Sequence, residues 1–452
     1  MNTTTNVKRL PRDPGPAGWN AILPEQDSPR ALEDNQTADW LVIGAGFAGL
    51  SAARRLAQLC PGDRVVVLEA TRVASGPAGR NSGFMIDLPH DLASDNYGGS
   101  LDKDRNQIAA NRAAIAFARE AATEYALPQE AFAESGKINA AATPRGLKHN
   151  ADYATHLSAL GEPHEMLDAQ SMHRITGTEY YRGGLYTPGT VMLQPALYVR
   201  GLAHGLKSGP TGNRVAIFEN SPVVALHANG NGWIAETPKG SINAPKVILA
   251  VNGHVESFGH FNRRLVHIFT YASMTEALTA DDIQRLGGEP VWGATPADPM
   301  GTTVRRISGT GGDRIVIRNR FTYDPSMELP EGRIETVGRD HDRAFIARFP
   351  MLAHVQMEYR WGGRLCLSRN NVAAFGEIDH GLYSACCQNG LGTVQGTFNG
   401  MLTADLATGH SSPLLETHLE HAAPSRLPPE PIAALGATAT IRWAEYKAGK
   451  EL

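Results

Sequence analysis

The chain has 452 residues and a formal net charge of -4, with 42 Lys and Arg against 46 Asp and Glu. That length suits two or three domains with a large core, and the charge gives no field that would draw nucleic acid or an anionic membrane. Four cysteines, with no CxxC pair, exclude a disulfide framework and a zinc ribbon, and point to a reduced, cytosolic protein that needs no metal.

The first 38 residues are rich in Pro and polar residues and read as an irregular arm, with no apolar core of signal-peptide length. No run of about 18 apolar residues follows anywhere in the chain, so no membrane span is expected. Leu41 to Ile43 read as a short buried strand leading into Gly44, Gly46 and Gly49, a G-x-G-x-x-G turn that carries Phe47 and the small Ala48. Leu50, Ala53, Leu56 and Ala57 then keep one apolar helical face until Pro61-Gly62 ends the helix. RVVVLEA is apolar without alternation, as a parallel strand buried on both faces is. It ends in Glu69 and Ala70, and Glu69 lies 20 residues after Gly49. A carboxylate at that point accepts hydrogen bonds from ribose hydroxyls, while the helix start offers N–H groups to a pyrophosphate. The unit therefore reads as a dinucleotide site, and the fingerprint alone does not separate NAD from FAD.

The next stretch, LEATRVASGPAGRNSGF, favours FAD. Its small residues let backbone lie close to an extended ligand, and Arg80, Asn81 and Ser82, followed by Gly83, offer donors to pyrophosphate and flavin-ring oxygens. Asp102 to Leu127 reads as a long helix, SGKINAAAT as a strand, and QPALYVRGLAHGL as a helix. Val223 to Ala228 and Trp233 to Thr237 flank Asn-Gly-Asn-Gly, a hairpin signal, and VILA follows as a core strand before Asn252-Gly253. RIVIRNRFTY reads as a strand on which Arg318 and Arg320 alternate onto one face. Near the end, LYSACC is a strand, QNGLGT a second Gly-rich turn with Gly390, Gly392 and Thr393, and the segment after it a helix. That helix would aim its positive end at a flavin edge and stabilise the reduced anion.

Four pieces in this order, VIGAGFAGLSAARRLA with VVVLEA, SGPAGRNSGF, VVALHANGNGWIAETPKGSINAPKVILAVNGH, and WGGRLCLSRNNVAAFGEIDHGLYSACCQNGLGTVQGTFNGMLTADLATG, resemble the FAD-dependent glycine/D-amino-acid oxidase superfamily. The resemblance runs from about Asp39 to Gly409 and looks most like the gamma-glutamylputrescine oxidase-like amine oxidase branch. It implies an α/β fold: a Rossmann-like FAD-binding domain with a discontinuous α+β substrate domain, the glutathione-reductase-type FAD fold. Residues 39–95, 196–260 and 362–425 would form the FAD-binding domain and 96–195 and 261–361 the substrate domain, with an arm at 1–38 and an extension at 426–452. It places Val223 and Val224 at the adenine end and Asn252 and Gly253 near the flavin. It implies oxidation of a C–N bond of a small amine or amino acid to an imine. Oxygen would reoxidise the flavin; the alternatives are a dehydrogenase that uses a quinone or a protein acceptor, or a non-catalytic flavoprotein. Arg318 and Arg320 are the expected catalytic or carboxylate-binding cations, since the strand lacks the Lys that several of these oxidases place over the flavin, and Tyr271 and Trp361 the expected chamber walls. Cys366 lies close to where one branch attaches FAD covalently. The favoured branch does not require that bond, and noncovalent FAD is expected, with Cys366 a small core residue.

Overall fold

A computed structural model describes residues 4–89, 98–209, 214–230 and 232–452. Asn231 of the expected hairpin and residues 90–97, which hold the first expected domain boundary, lie outside them.

A six-stranded sheet forms the first layer, in the order Val215–Phe218, Val65–Leu68, Trp40–Ile43, Lys246–Leu249, Leu382–Cys386 and Ala374–Asp379. The first five strands are parallel and the last is antiparallel. Their apolar runs are explained by burial on both faces: Leu41, Val42, Val65, Val66 and Val67 are fully buried. Helix Phe47–Leu59 packs on this sheet beside helix Val394–Thr408. The two helices meet at glycines one turn apart. A Cβ on Gly400 would stand 2.1 Å from the Ala48 carbonyl oxygen, and one on Gly396 3.1 Å from Phe47 Cβ.

An eight-stranded sheet forms the second unit, in the order Met357–Ser368, Leu265–Thr275, Arg314–Tyr323, Thr303–Ile307, Trp292–Pro296, Lys137–Ala141, Gly183–Thr187 and Glu165–Asp168. A five-stranded sheet carries the hairpin Ala225–Asn229 and Gly232–Glu236. The arm departs from the irregular reading. Thr4–Asn6 and Asn35–Thr37 are the two edge strands of this third sheet. Between them Trp19 is fully buried and donates its indole N–H to the Asn81 carbonyl at 2.8 Å. Local composition signalled a loop, and long-range pairing overrides it. At the other end, helix Ile432–Ala448 docks on the eight-stranded sheet through Glu445, which accepts from the Phe321 N–H at 3.2 Å. Among the described residues no helix is long and apolar enough to cross a membrane.

Candidate active site

One long cavity runs from the turn Gly44–Ala48, at the carboxyl end of the central strand Trp40–Ile43, to Thr295, Thr303 and Arg318 on the eight-stranded sheet. Its walls are built by the sequence features that carried the dinucleotide reading.

The three glycines divide the work. Gly44 has φ +104°, a region open to glycine, and a Cβ there would stand 2.6 Å from the Ala250 carbonyl oxygen. A Cβ on Gly49 would stand 1.8 Å from the Gly44 carbonyl oxygen, so Gly49 lets helix pack on strand and does not itself line the cavity. Gly46 is extended (φ -90°, ψ -167°), and a Cβ there would meet only Ala78 at 3.6 Å. It leaves open space above the start of helix Phe47–Leu59, whose first turn has no side-chain cap. Uncapped N–H groups at the positive end of a helix suit a phosphate. Helix Val394–Thr408 also starts without a side-chain cap, at the turn where Gly390 (φ +81°), Gly392 and Thr393 line the cavity. The Thr393 hydroxyl donates to the Phe84 carbonyl at 2.6 Å.

Glu69 lies at the end of strand Val65–Leu68, in the cavity wall with Ala70. It accepts from the Ala45 N–H at 2.9 Å and the Thr71 N–H at 3.1 Å. Burial raises its pKa, and these N–H bonds to the carboxylate oppose the rise. Val223, Asn252 and Gly253 also line the cavity; Val224 instead spends its backbone on the Val7 N–H and the Glu236 carbonyl.

The loop after Glu69 acts differently from the expectation. Arg80 and Asn81 line the cavity but are occupied by the protein. Arg80 has five N–H donors and directs them to five carbonyls: Ser75, Pro14, Gly362, Asp13 and Gly15. It ties the arm to the loop instead of offering donors to a ligand. Asn81 donates to the Ala78 carbonyl at 2.7 Å and accepts from the Gly83 N–H at 2.8 Å, which shapes the turn. Ser82 lines the cavity; Gly83 does not, and a Cβ on it would stand 2.2 Å from an Arg305 nitrogen.

Four residues that sequence reading did not place in the site meet in mid-cavity or at its end. Asp13 of the arm pairs with Arg364 at 2.7 Å, and Arg364 donates to His254 Nε2. Burial, then the Arg364 charge, pushes the His254 pKa down to about 3, so the ring is neutral. The fourth, Thr270, lines the substrate end. Asp13 Oδ1, Arg364 Nε, Asn252 Oδ1 and Thr270 Oγ1 are buried without a hydrogen-bond partner among the described residues. Each such atom costs about 1–3 kcal/mol, and a polar, elongated ligand in this cavity supplies what the protein lacks. The open cradle at Gly46, two uncapped helix starts and the Glu69 carboxylate fit a dinucleotide with a flavin head.

The substrate end corrects the expected catalytic set. Strand Arg314–Tyr323 carries a β-bulge against Leu265–Thr275: Tyr271 pairs with Asn319 and Thr270 with Phe321, so Arg320 is skipped. Arg320 has φ +62° and turns away from the cavity to pair with Asp340 at 2.8 Å and Glu445 at 3.1 Å. Arg318 alone of the two lines the cavity, with its guanidinium 4.6 Å from the Phe321 ring centroid. Period-two alternation fails where a bulge adds one residue. Tyr271 faces the other way, packed with Phe269 and Val337 and bonded to Thr322 Oγ1 at 2.6 Å. Trp361 is fully buried in the core, where it donates to the Arg80 carbonyl at 3.0 Å. Neither lines the cavity. Cys366 does, and its thiol is held well above the usual range by its hydrogen bond with Cys387 and by burial.

Residues 39–406 match the model of a protein family described as FAD dependent oxidoreductase. The chain belongs to this family. FAD is thus the cofactor of its dinucleotide site, and the protein is an oxidoreductase. Among curated relatives, a probable oxidoreductase OrdL of Rhizobium meliloti is 26% identical over 420 residues, 89% of this chain and 91% of the relative. Gamma-glutamylputrescine oxidoreductase of Escherichia coli is 25% identical over 384 residues, 84% of this chain and 85% of that protein. The fold is shared with glycine oxidase from Geobacillus kaustophilus, at TM-score 0.70 and 17% identity over 87% of this chain and 100% of that one. The family's match begins at residue 39, so Asp13 enters the FAD cavity from a segment outside it.

Proposed function

We propose that the protein oxidises a C–N bond of a small primary or secondary amine that carries a carboxylate, with O2 as the final electron acceptor. The observation that carries this reading is the placement of Arg318. It is a cationic residue of the cavity lining, directly opposite Thr303 across the sheet. Among the described lining residues the carboxylates are Asp13 and Glu69; Asp13 is paired with Arg364 and Glu69 lies at the dinucleotide end. A guanidinium in this position orients a carboxylate through paired N–H bonds.

FAD, when bound, supplies the two-electron acceptor for the carbon next to nitrogen. Glu69 would hold the ribose, the Gly46–Ala48 turn the pyrophosphate, and the Gly390–Thr393 turn the flavin head, without a covalent bond. The protein's own part is orientation and exclusion of water. Phe84, Ile86, Ile268 and Met327 supply apolar wall to the cavity, and Arg318 would anchor one end of the substrate. The reading is supported also by relatives whose names include a gamma-glutamylputrescine oxidoreductase and a glycine oxidase.

Anaerobic mixing with a panel of amino acids, N-alkyl amino acids, polyamines and hydroxy acids tests it. Bleaching of the flavin by carboxylate-bearing amines supports the reading, and bleaching by hydroxy acids alone refutes it. Hydrogen peroxide formed in air, one per turnover, supports oxygen as acceptor; fast dye reduction with negligible peroxide assigns a dehydrogenase.

A further inference from the structure

The wall behind the chamber holds a lysine. Lys137 opens strand Lys137–Ala141 and is 3% exposed. Its ammonium donates to Asn139 Oδ1 and, at 3.2 Å, to Thr295 Oγ1. Among the described residues no carboxylate lies within ion-pair range of it; Asp87 acts on it only at longer range. Burying an unpaired ammonium costs several kcal/mol. Burial accordingly lowers its pKa, to about 8, which leaves it mostly charged at neutral pH.

What this lysine touches is part of the cavity wall. Thr295 lines the cavity, stands opposite Asn139 across the sheet, and has a hydroxyl with one proton and two lone pairs. The proton goes to Asn139 Oδ1 at 2.9 Å, with the Ile138 carbonyl at 3.5 Å as a long alternative. One lone pair takes the Lys137 N–H. An ammonium has three donors and no acceptor, so it cannot receive the threonine proton. What remains to Thr295 is a single lone pair, and it offers the chamber an acceptor and not a donor. Arg318 stands two strands away along the same wall, with Thr303 directly opposite it. At about 4.8 Å per strand the two groups are roughly 10 Å apart between backbones. Their side chains thus bracket a molecule of amino-acid size.

We propose that Lys137 is a positioning residue that fixes Thr295 as the hydrogen-bond acceptor for the substrate's amino N–H, while Arg318 takes its carboxylate. This rests on the functional reading above and adds a selectivity to it. Primary and secondary amines keep an N–H after losing their ammonium proton, and N,N-dialkyl amines do not. The wall accordingly selects the first two.

The test uses holoprotein carrying Lys137→Met or Thr295→Val, with bound FAD measured by absorbance as the check on folding. Two quantities are compared with those of the unmodified protein. One is the dissociation constant of the best amine substrate, from anaerobic flavin bleaching. The other is that of an amine-free carboxylate of the same length, from the shift it causes in the flavin spectrum. A lost hydrogen bond to a neutral acceptor, about 0.5–1.5 kcal/mol, predicts an amine affinity roughly three- to tenfold weaker in Thr295→Val, and a smaller loss in Lys137→Met, where the hydroxyl keeps its lone pairs but loses the ammonium that orients it, with the amine-free carboxylate unchanged in both. The preference for a secondary amine over its N,N-dialkyl counterpart should shrink by the same factor. If Lys137→Met retains no FAD, the near-isosteric Thr295→Val carries the test. Equal loss for both ligands, or no loss for either, overturns the proposal while the amine reading stands. Failure of every amine to bleach the unmodified protein overturns both.

Discussion

Replacing Gly46 by alanine separates fold from cofactor binding. Gly46 has φ -90° and ψ -167°, a conformation open to any residue, and the added Cβ meets only Ala78 at an ordinary 3.6 Å. Stability of the cofactor-free protein should therefore hold or rise by about 0.4–1 kcal/mol, because the unfolded chain loses freedom. The same methyl enters the space above the first turn of helix Phe47–Leu59, where the pyrophosphate would lie. Pushing the phosphates away weakens one or two charge-assisted N–H bonds at about 1.5–3 kcal/mol each. A net loss of about 2–4 kcal/mol corresponds to a roughly 30- to 1000-fold weaker FAD affinity. Apoprotein titrated with FAD by flavin fluorescence gives the affinity, and thermal melts without FAD give the stability. Gly49→Ala is the control: its Cβ would stand 1.8 Å from the Gly44 carbonyl oxygen, so it should lower stability itself. An unchanged FAD affinity in Gly46→Ala, or a stability loss equal to that of Gly49→Ala, would refute the division of labour among these glycines.

Other perturbations give distinct outcomes. Glu69→Ala removes the acceptor assigned to the ribose and the partner of the Ala45 N–H, and FAD affinity should fall about ten- to a hundredfold at 1.5–3 kcal/mol; an unchanged titration curve contradicts the assignment. Arg318→Met should raise KM for carboxylate-bearing amines far more than for neutral ones with FAD content intact, whereas Arg320→Met should lower the melting temperature and treat both substrate types alike, since Arg320 serves Asp340 and Glu445; the reverse pattern would return Arg320 to the chamber. Burial depresses the His341 pKa to about 3, against about 6.5 for an unfolded histidine. The unfolded chain then binds the extra proton as pH falls between those values, so stability is full above pH 6.5 and lost on acidification, by up to about 2 kcal/mol at pH 5. His341→Gln should flatten the decline in melting temperature between pH 7 and 5, and an unaltered slope would count against it.

The sequence made the dinucleotide unit legible because each of its signals is local. A turn that admits only glycine at Gly44, a one-sided helix from Leu50 and an unalternating strand before Glu69 need no knowledge of the rest of the chain. The substrate end was less legible because it is set by sheet register. One residue of bulge at Arg320 removes it, and alternation then puts Thr270 and not Tyr271 on the cavity side. The arm was misjudged for a related reason. Asp13 and Trp19 look like loop residues locally and acquire their roles only against Arg364 and Asn81, which lie far along the chain. Arg80 lies beside the cavity, but its occupation by five carbonyls, in place of the expected donation to a ligand, depends on segments that composition does not connect.

Oxidation of a carboxylate-bearing amine at the FAD site is decided by mixing the purified yellow protein with the panel of amino acids, N-alkyl amino acids, polyamines and hydroxy acids in the absence of oxygen. The visible flavin band should fade with N-alkyl or free amino acids and return, with hydrogen peroxide, on admitting air. A flavin that stays oxidised with every amine and bleaches with a hydroxy acid would contradict it.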